Sequence, residues 1–271
     1  MKKKSVKSEK LRESLLLATA AVINNIRISS RKRGSENASV GSEYEDYVLQ
    51  SLESCKEDVL CKQTYLRAMK NLKSKRTLSK LFELVQTSDP KTSVVAMKAI
   101  HAFPDSSIPP TYRPLLIKIV KQLGRKYDSS ARTLALDMIL RNEPSKEDVR
   151  EILHVVKQLD NPNHAEISTF IWNRVQEFME HNQVLADHVK AIIKEEGLQN
   201  YHHLAPKGLS TAFSRAFTVN PKGNSTFSNA IEMTGKILKR SSFDVYLNTP
   251  EDSLQLLSVS FPKKVCNNEY V

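Results

Sequence analysis

The stretch Ala68-Met69-Lys70-Asn71-Leu72 returns as Ala96-Met97-Lys98-Ala99-Ile100 and again as Ala135-Leu136-Asp137-Met138-Ile139. Each copy closes an apolar helical pattern, passes a turn carrying Lys, Ser, Asn or Pro, and opens another apolar run, such as Leu78-Ser79-Lys80-Leu81-Phe82 or Leu115-Leu116-Ile117-Lys118-Ile119. The copies lie 28 and 39 residues apart, near the unit of about 40 residues that builds two-helix repeat arrays. One helix pair cannot bury its own apolar face, so neighbours must stack. The expected fold is mainly α, an α-solenoid of helix pairs.

Outward from the repeat, residues 9 to 29 form one amphipathic helical pattern, with Leu11, Leu15, Ala18, Val22 and Ile26 at spacings of three and four. Residues 29 to 42 are a polar loop with two Gly and five Ser. Helices are expected near 43–54, 57–72, 77–87, 91–102, 111–126, 129–142, 146–158, 163–181 and 184–196, with Pro90, Pro104, Pro109, Pro110, Pro144 and Pro162 at the joints. Asp89-Pro90 and Asn161-Pro162 have the form of helix starts, and Ser145-Lys146-Glu147-Asp148 approaches a capping box. After Gly197 the period changes to alternation: Phe213, Phe217, Val219; Ile231, Met233, Ile237; Phe243, Val245, Leu247; Leu254, Leu256, Val259, Phe261. The expected division is therefore a basic helix and loop over 1–42, a helical array over 43–200, and the beginning of a β-sheet region over 201–271.

The net charge of +11 is concentrated. Residues 1 to 33 carry ten Lys or Arg against Glu9 and Glu13, which leaves only +3 for the rest. No aromatic residues interleave with those cations, so nucleic acid is not an expected partner. No apolar run reaches the roughly 18 residues of a membrane span. Arg12 and Glu13 also interrupt what would have to be the core of a signal peptide, so none is expected here.

Chemistry-bearing motifs are absent: there is no Gly-x-Ser-x-Gly elbow, phosphate loop or His-Glu-x-x-His, and the chain reads as a non-enzyme without cofactor or metal. His181, His188 and Tyr201-His202-His203 read as surface residues, and Trp172 joins Ile167, Ile171, Val175 and Phe178 in a core stripe. Cys55 and Cys61 stand at a helix corner, where spacing permits either a disulfide or two reduced thiols; Cys266 has no evident partner. Asn37 and Asn224 head glycosylation triplets in expected loops.

The segments from Tyr44 to Cys55, Cys61 to Leu72, Ser106 to Pro114 and Ser129 to Leu136, with the block Ile231 to Leu247, resemble the large lipid transfer protein family, the vitellogenin and apolipoprotein B type, and within it the triglyceride-transfer branch. The likeness spans most of residues 8 to 258. It implies a double-layered helical superhelix around sheets that line a lipid cavity, and it implies the endoplasmic reticulum lumen as location. Protein disulfide isomerase and apolipoprotein B are the implied partners, and triglyceride, phospholipid and cholesteryl ester the cargo. Cys55 and Cys61 match the family's disulfide pair, and Phe243, Val245, Leu247, Leu254 and Leu256 become candidates to face lipid. At both ends the chain departs from the family pattern, without the upstream β-barrel and the later cavity sheets, so it resembles a fragment that docks a partner and transfers no lipid by itself. The competing reading is a HEAT-like protein-interaction adaptor without lipid activity, which has no use for the alternating strands after residue 210.

Overall fold

The computed structural model describes residues 8–32, 41–157, 164–196, 210–220, 223–234, 237–248 and 253–262. Ten helices precede four strands among these residues: α1 (Glu9–Lys32), α2 (Ser42–Ser54), α3 (Val59–Leu72), α4 (Leu78–Thr87), α5 (Pro90–His101), α6 (Arg113–Lys121), α7 (Ser129–Arg141), α8 (Lys146–Lys157), α9 (His164–Met179) and α10 (Gln183–Glu196), then β1 (Thr211–Asn220), β2 (Gly223–Thr234), β3 (Ile237–Asn248) and β4 (Ser253–Pro262). The chain divides into two compact units, one of residues 1–114 and 125–138, the other of residues 115–124 and 139–271.

In the first unit the repeated phrase is the buried seam. Ala68, Met69, Ala96, Met97, Ala135 and Leu136 are all fully buried. The small alanine of each copy permits close approach and the long side chain beside it fills the space that remains. Leu66, Leu72, Leu81, Phe82, Val85, Ile100 and Phe103 complete this core, and Phe82 stacks on Tyr112 with centroids 3.8 Å apart. Local chemistry sets the helix ends. The Asp58 carboxylate accepts from the amides of Leu60 and Cys61, which starts α3 at Val59, two residues later than its apolar pattern alone suggests. Asp89 does the same for α5, where Pro90 occupies the first helical position and costs no hydrogen bond.

Around α1 the sequence shows less. Tyr44 donates to the Leu16 carbonyl and Asn71 to that of Leu17, while Arg27 pairs with the buried Glu45 at 2.6 Å. Gly41 enters α2 with φ of +81°, and a β-carbon there would stand 2.5 Å from Ile23. Leu11, Leu15, Val22 and Ile26 stay exposed along α1.

The helix expected over 111–126 is shorter than its pattern. A 3₁₀ turn occupies Pro110–Tyr112, α6 runs only from Arg113 to Lys121, and Gln122 and Gly124 then take positive φ values of 59° and 85°. A left-handed residue cannot continue a right-handed helix, so the apolar Leu123 beyond it is not helical. In contrast, every residue of α7 from Ser130 to Leu140 is buried, including Arg132, whose guanidinium is lowered to about 10 by desolvation.

In the second unit Ser145 and Asp148 cap α8 reciprocally, as the capping pattern implies. Lys146, Arg150 and His154, one turn apart on α8, then meet Glu195 and Glu196 in the last turn of α10 at 2.5 to 3.1 Å. Acids at a helix C-terminus oppose its dipole, so this cationic row offsets an unfavourable placement. Trp172 is buried in α9, as its stripe predicts. The helix start expected at Asn161-Pro162 lies outside the described residues.

The four strands form one antiparallel meander in the order β1-β2-β3-β4. Ile231 and Met233 do not share a strand with Ile237 as the alternation suggests: β2 ends at Thr234, which pairs with Ile237 at the start of β3. Each pairing contains one irregularity, at Phe217, Lys239 and Leu256 respectively. Such bulges increase the local twist and reset which side chains share a face.

Candidate functional site

Antiparallel partners share a face, so the register sorts the sheet into two chemistries. On one face stand Ser225, Phe227, Asn229, Ile231 and Met233 of β2, Leu238, Ser241, Phe243, Val245 and Leu247 of β3, and Leu257, Val259 and Phe261 of β4, apolar but for Asn229 and the two serines. The opposite face carries Thr226, Ser228, Ala230 and Glu232, then Arg240, Ser242, Asp244 and Tyr246, then Gln255, Ser258 and Ser260.

Helix α9 covers the polar face. Ser210 is the pin: its amide and hydroxyl both donate to Glu166 at 3.0 and 2.9 Å, its carbonyl accepts from Asn173, and its Oγ accepts from the amide of Met233. Glu177 pairs with Arg174 and accepts from Ser228 of β2. At the bulge, Lys239 and Arg240 both reach the buried Glu232, at 4.0 and 3.4 Å. Adjacent residues of a regular strand point to opposite faces, so the bulge is what lets both cations serve one carboxylate. Further along this face Gln255 donates to Asp244 and Tyr246.

Among the described residues the apolar face has no such cover. Phe243 and Leu247 are 37% and 39% exposed, Leu238 and Leu257 43% and 48%, and Phe261 65%. The rings of Phe227 and Phe243 lie 5.8 Å apart at 31°, a packed aromatic centre on an otherwise open surface. Contiguous apolar area of this kind marks a binding surface.

The residues singled out from the sequence fall as follows. Phe243, Val245 and Leu247 lie together on the apolar face, and Leu254 is placed opposite Leu247 by register. Leu256 is the bulge residue, and Leu257 takes the place opposite Val245 that strict alternation would assign to Leu256. Cys55 ends α2, Cys61 lies in the first turn of α3, and the two are joined in a disulfide with α-carbons 5.6 Å apart. Asn224 stands near the start of β2, with Val219 and Asn248 as backbone partners. Asn37, His202, His203 and Cys266 lie outside the described residues. Among the described residues no cluster of His, Cys, Asp or Glu could hold a metal ion, and no helix is long and apolar enough to cross a membrane. Sequence reasoning missed Leu257, the Ser210 pin and Asn229. For Leu257 there was a signal, because Leu254 and Leu256 are even-numbered while Val259 and Phe261 are odd, and a change of parity within a strand requires a bulge.

An array of helix pairs followed by an amphipathic antiparallel sheet defines the class. A family model described as the Vitellogenin TPR domain matches residues 1–190. The microsomal triacylglycerol transfer protein of Drosophila melanogaster is 33% identical over 252 residues, covering 92% of this chain and 27% of that protein. The microsomal triglyceride transfer protein large subunit of Homo sapiens is 25% identical over 247 residues, covering 90% and 26%. A solved structure described as "lipid-protein interactions in lipovitellin" superposes with a TM-score of 0.72 at 11% identity over 92% of this chain and 26% of that one. The chain belongs to the vitellogenin-type large lipid transfer family. It spans about a quarter of the length of the curated relatives it matches.

Proposed function

We propose that this chain is part of a lipid transfer subunit, in which the helical array over 43–200 is the scaffold and the sheet from residue 201 onward supplies one wall of a lipid-holding cavity. The observation that carries the reading is the two-faced sheet: polar and pinned to α9 on one side, apolar and open on the other. Acyl chains gain by leaving water for such a surface, and no bond is made or broken, so the function is transport rather than catalysis. The names of the relatives support triglyceride as cargo; phospholipid and cholesteryl ester belong to the same proposal because each presents acyl chains for such a face to bury.

The working location is the endoplasmic reticulum lumen, which the Cys55–Cys61 disulfide suits because such bonds persist in oxidising compartments. Protein disulfide isomerase and apolipoprotein B are the proposed protein partners, the latter as the acceptor of lipid during lipoprotein assembly. Glycosylation at Asn37 or Asn224 would follow from the same compartment. The adaptor reading draws on a separate observation, the exposed Leu11, Leu15, Val22 and Ile26 along α1, which is a second apolar stripe suited to a protein. Two assays on residues 1–271 decide between them. Stable binding of vesicle lipid supports the lipid reading, and co-purification with the isomerase in the absence of any lipid binding supports the adaptor.

A further inference from the structure

Asn229 is out of character with its surroundings. It lies in the middle of β2, on the apolar face, with Phe213 opposite it in β1 and Phe243 opposite it in β3. Asparagine is disfavoured in strands, and an interior strand offers it no turn to stabilise. Among the described residues its Oδ1 is shut off from solvent and finds no hydrogen-bond donor. A buried acceptor without a donor is destabilising, and a leucine or valine in its place would continue the apolar face without that cost.

We propose that Asn229 is a hydroxyl-reading position: its carboxamide accepts a hydrogen bond from a lipid that presents a free hydroxyl beside its apolar body. This rests on the reading of the face as an acyl-chain surface and adds selectivity to it. The chemistry of the missing partner follows from the orphaned atom. Oδ1 needs a donor, and a fully esterified neutral lipid has none, whereas a partial acylglycerol or an unesterified sterol has one. An ammonium headgroup is a poor alternative. No Asp or Glu occupies any registered position of that face, so nothing on it would neutralise a cation.

The test uses residues 1–271 with phosphatidylcholine vesicles carrying either dioleoylglycerol or trioleoylglycerol, and either cholesterol or cholesteryl oleate, each pair differing by the free hydroxyl. Protein is separated from vesicles by flotation and its lipid quantified by mass spectrometry. The wild-type chain should take a hydroxyl lipid about fivefold over its ester partner, the effect of one neutral hydrogen bond in a sheltered site. A preference in the acylglycerol pair alone, the sterol pair alone, or both identifies the source of the hydroxyl, and each supports the proposal. Asn229→Leu and Asn229→Val should each erase the preference and, without lipid, melt no lower than wild type. A preference that survives both substitutions, a wild type that shows none, or lipid-free variants that melt below wild type would overturn the role of Asn229 while leaving the acyl-chain surface standing. A wild-type chain that takes up no lipid in any arm would overturn both.

Discussion

Replacing Phe243 by serine removes the aromatic centre of the open face. With 37% of its surface exposed and a side chain of about 200 Å², about 70 Å² of it remains to be covered by a ligand. At roughly 25 cal/mol per Å² that is about 1.8 kcal/mol, or about a twentyfold loss of lipid affinity. The same change forfeits the ring contact with Phe227, which costs about 1 kcal/mol of stability and leaves the chain folded. Tyr246→Ser is the control, because Tyr246 sits beside Asp244 and Gln255 on the polar face three positions along the same strand. The assay is equilibrium binding of a fluorescent triglyceride analogue, paired with a thermal melt of each protein. If Phe243→Ser binds as wild type does, or Tyr246→Ser loses as much, the assignment of the two faces is wrong.

Three further outcomes follow from the fold. Met97→Ala should cost about 2 to 5 kcal/mol, because Met97 is fully buried in the repeated seam; Met97→Asp should abolish cooperative unfolding, and a near-native melt of the aspartate variant would show that the seam is not core. Cys55→Ser should lower stability by about 2 kcal/mol, the modest effect of a short closed loop, as read by denaturant titration with and without reductant; equal midpoints for the two proteins under oxidising conditions would contradict it. Hydrogen bonds from Arg150, Lys146 and His154 hold Glu147, Glu195 and Glu196 below the usual carboxylate range. Depressed folded-state values mean stability that is present above the unfolded carboxylate value of about 4.3 and lost as pH falls through the folded ones. Acid melts should therefore show a drop below about pH 4 that shrinks in Arg150→Met, and identical acid profiles would show that the row contributes nothing.

The helical part was legible because three signals agree there: the recurrent Ala-Met phrase, the 3.6-residue period, and caps such as Asp58, Asp89 and Ser145. It failed at α6, where Leu123 continues the apolar pattern but Gln122 takes a left-handed backbone, a choice that side-chain chemistry does not announce for glutamine. In the sheet the alternation located the strands and most of the apolar face, yet the division of Ile231 and Met233 from Ile237 was hidden, since all three keep one parity and pass for a single alternating strand. Bulges were visible only as a change of parity in β4, and the one at Lys239 left no trace because the run that follows it, Arg240-Ser241-Ser242, is polar on both faces. Nothing local marks Asn229 as unusual either; it becomes so only when pairing sets it between two phenylalanines.

The central claim is that acyl chains lie against one face of the sheet and not the other. Trp172 is the only tryptophan in the chain, so a Trp172→Phe background allows a single reporter to be placed at Leu257 on the apolar face or at its neighbour Ser258 on the polar face. With vesicles of phosphatidylcholine brominated along the acyl chains, the account predicts strong quenching of the Leu257→Trp reporter and little of the Ser258→Trp reporter. Equal quenching at the two positions, or stronger quenching at 258, would contradict it.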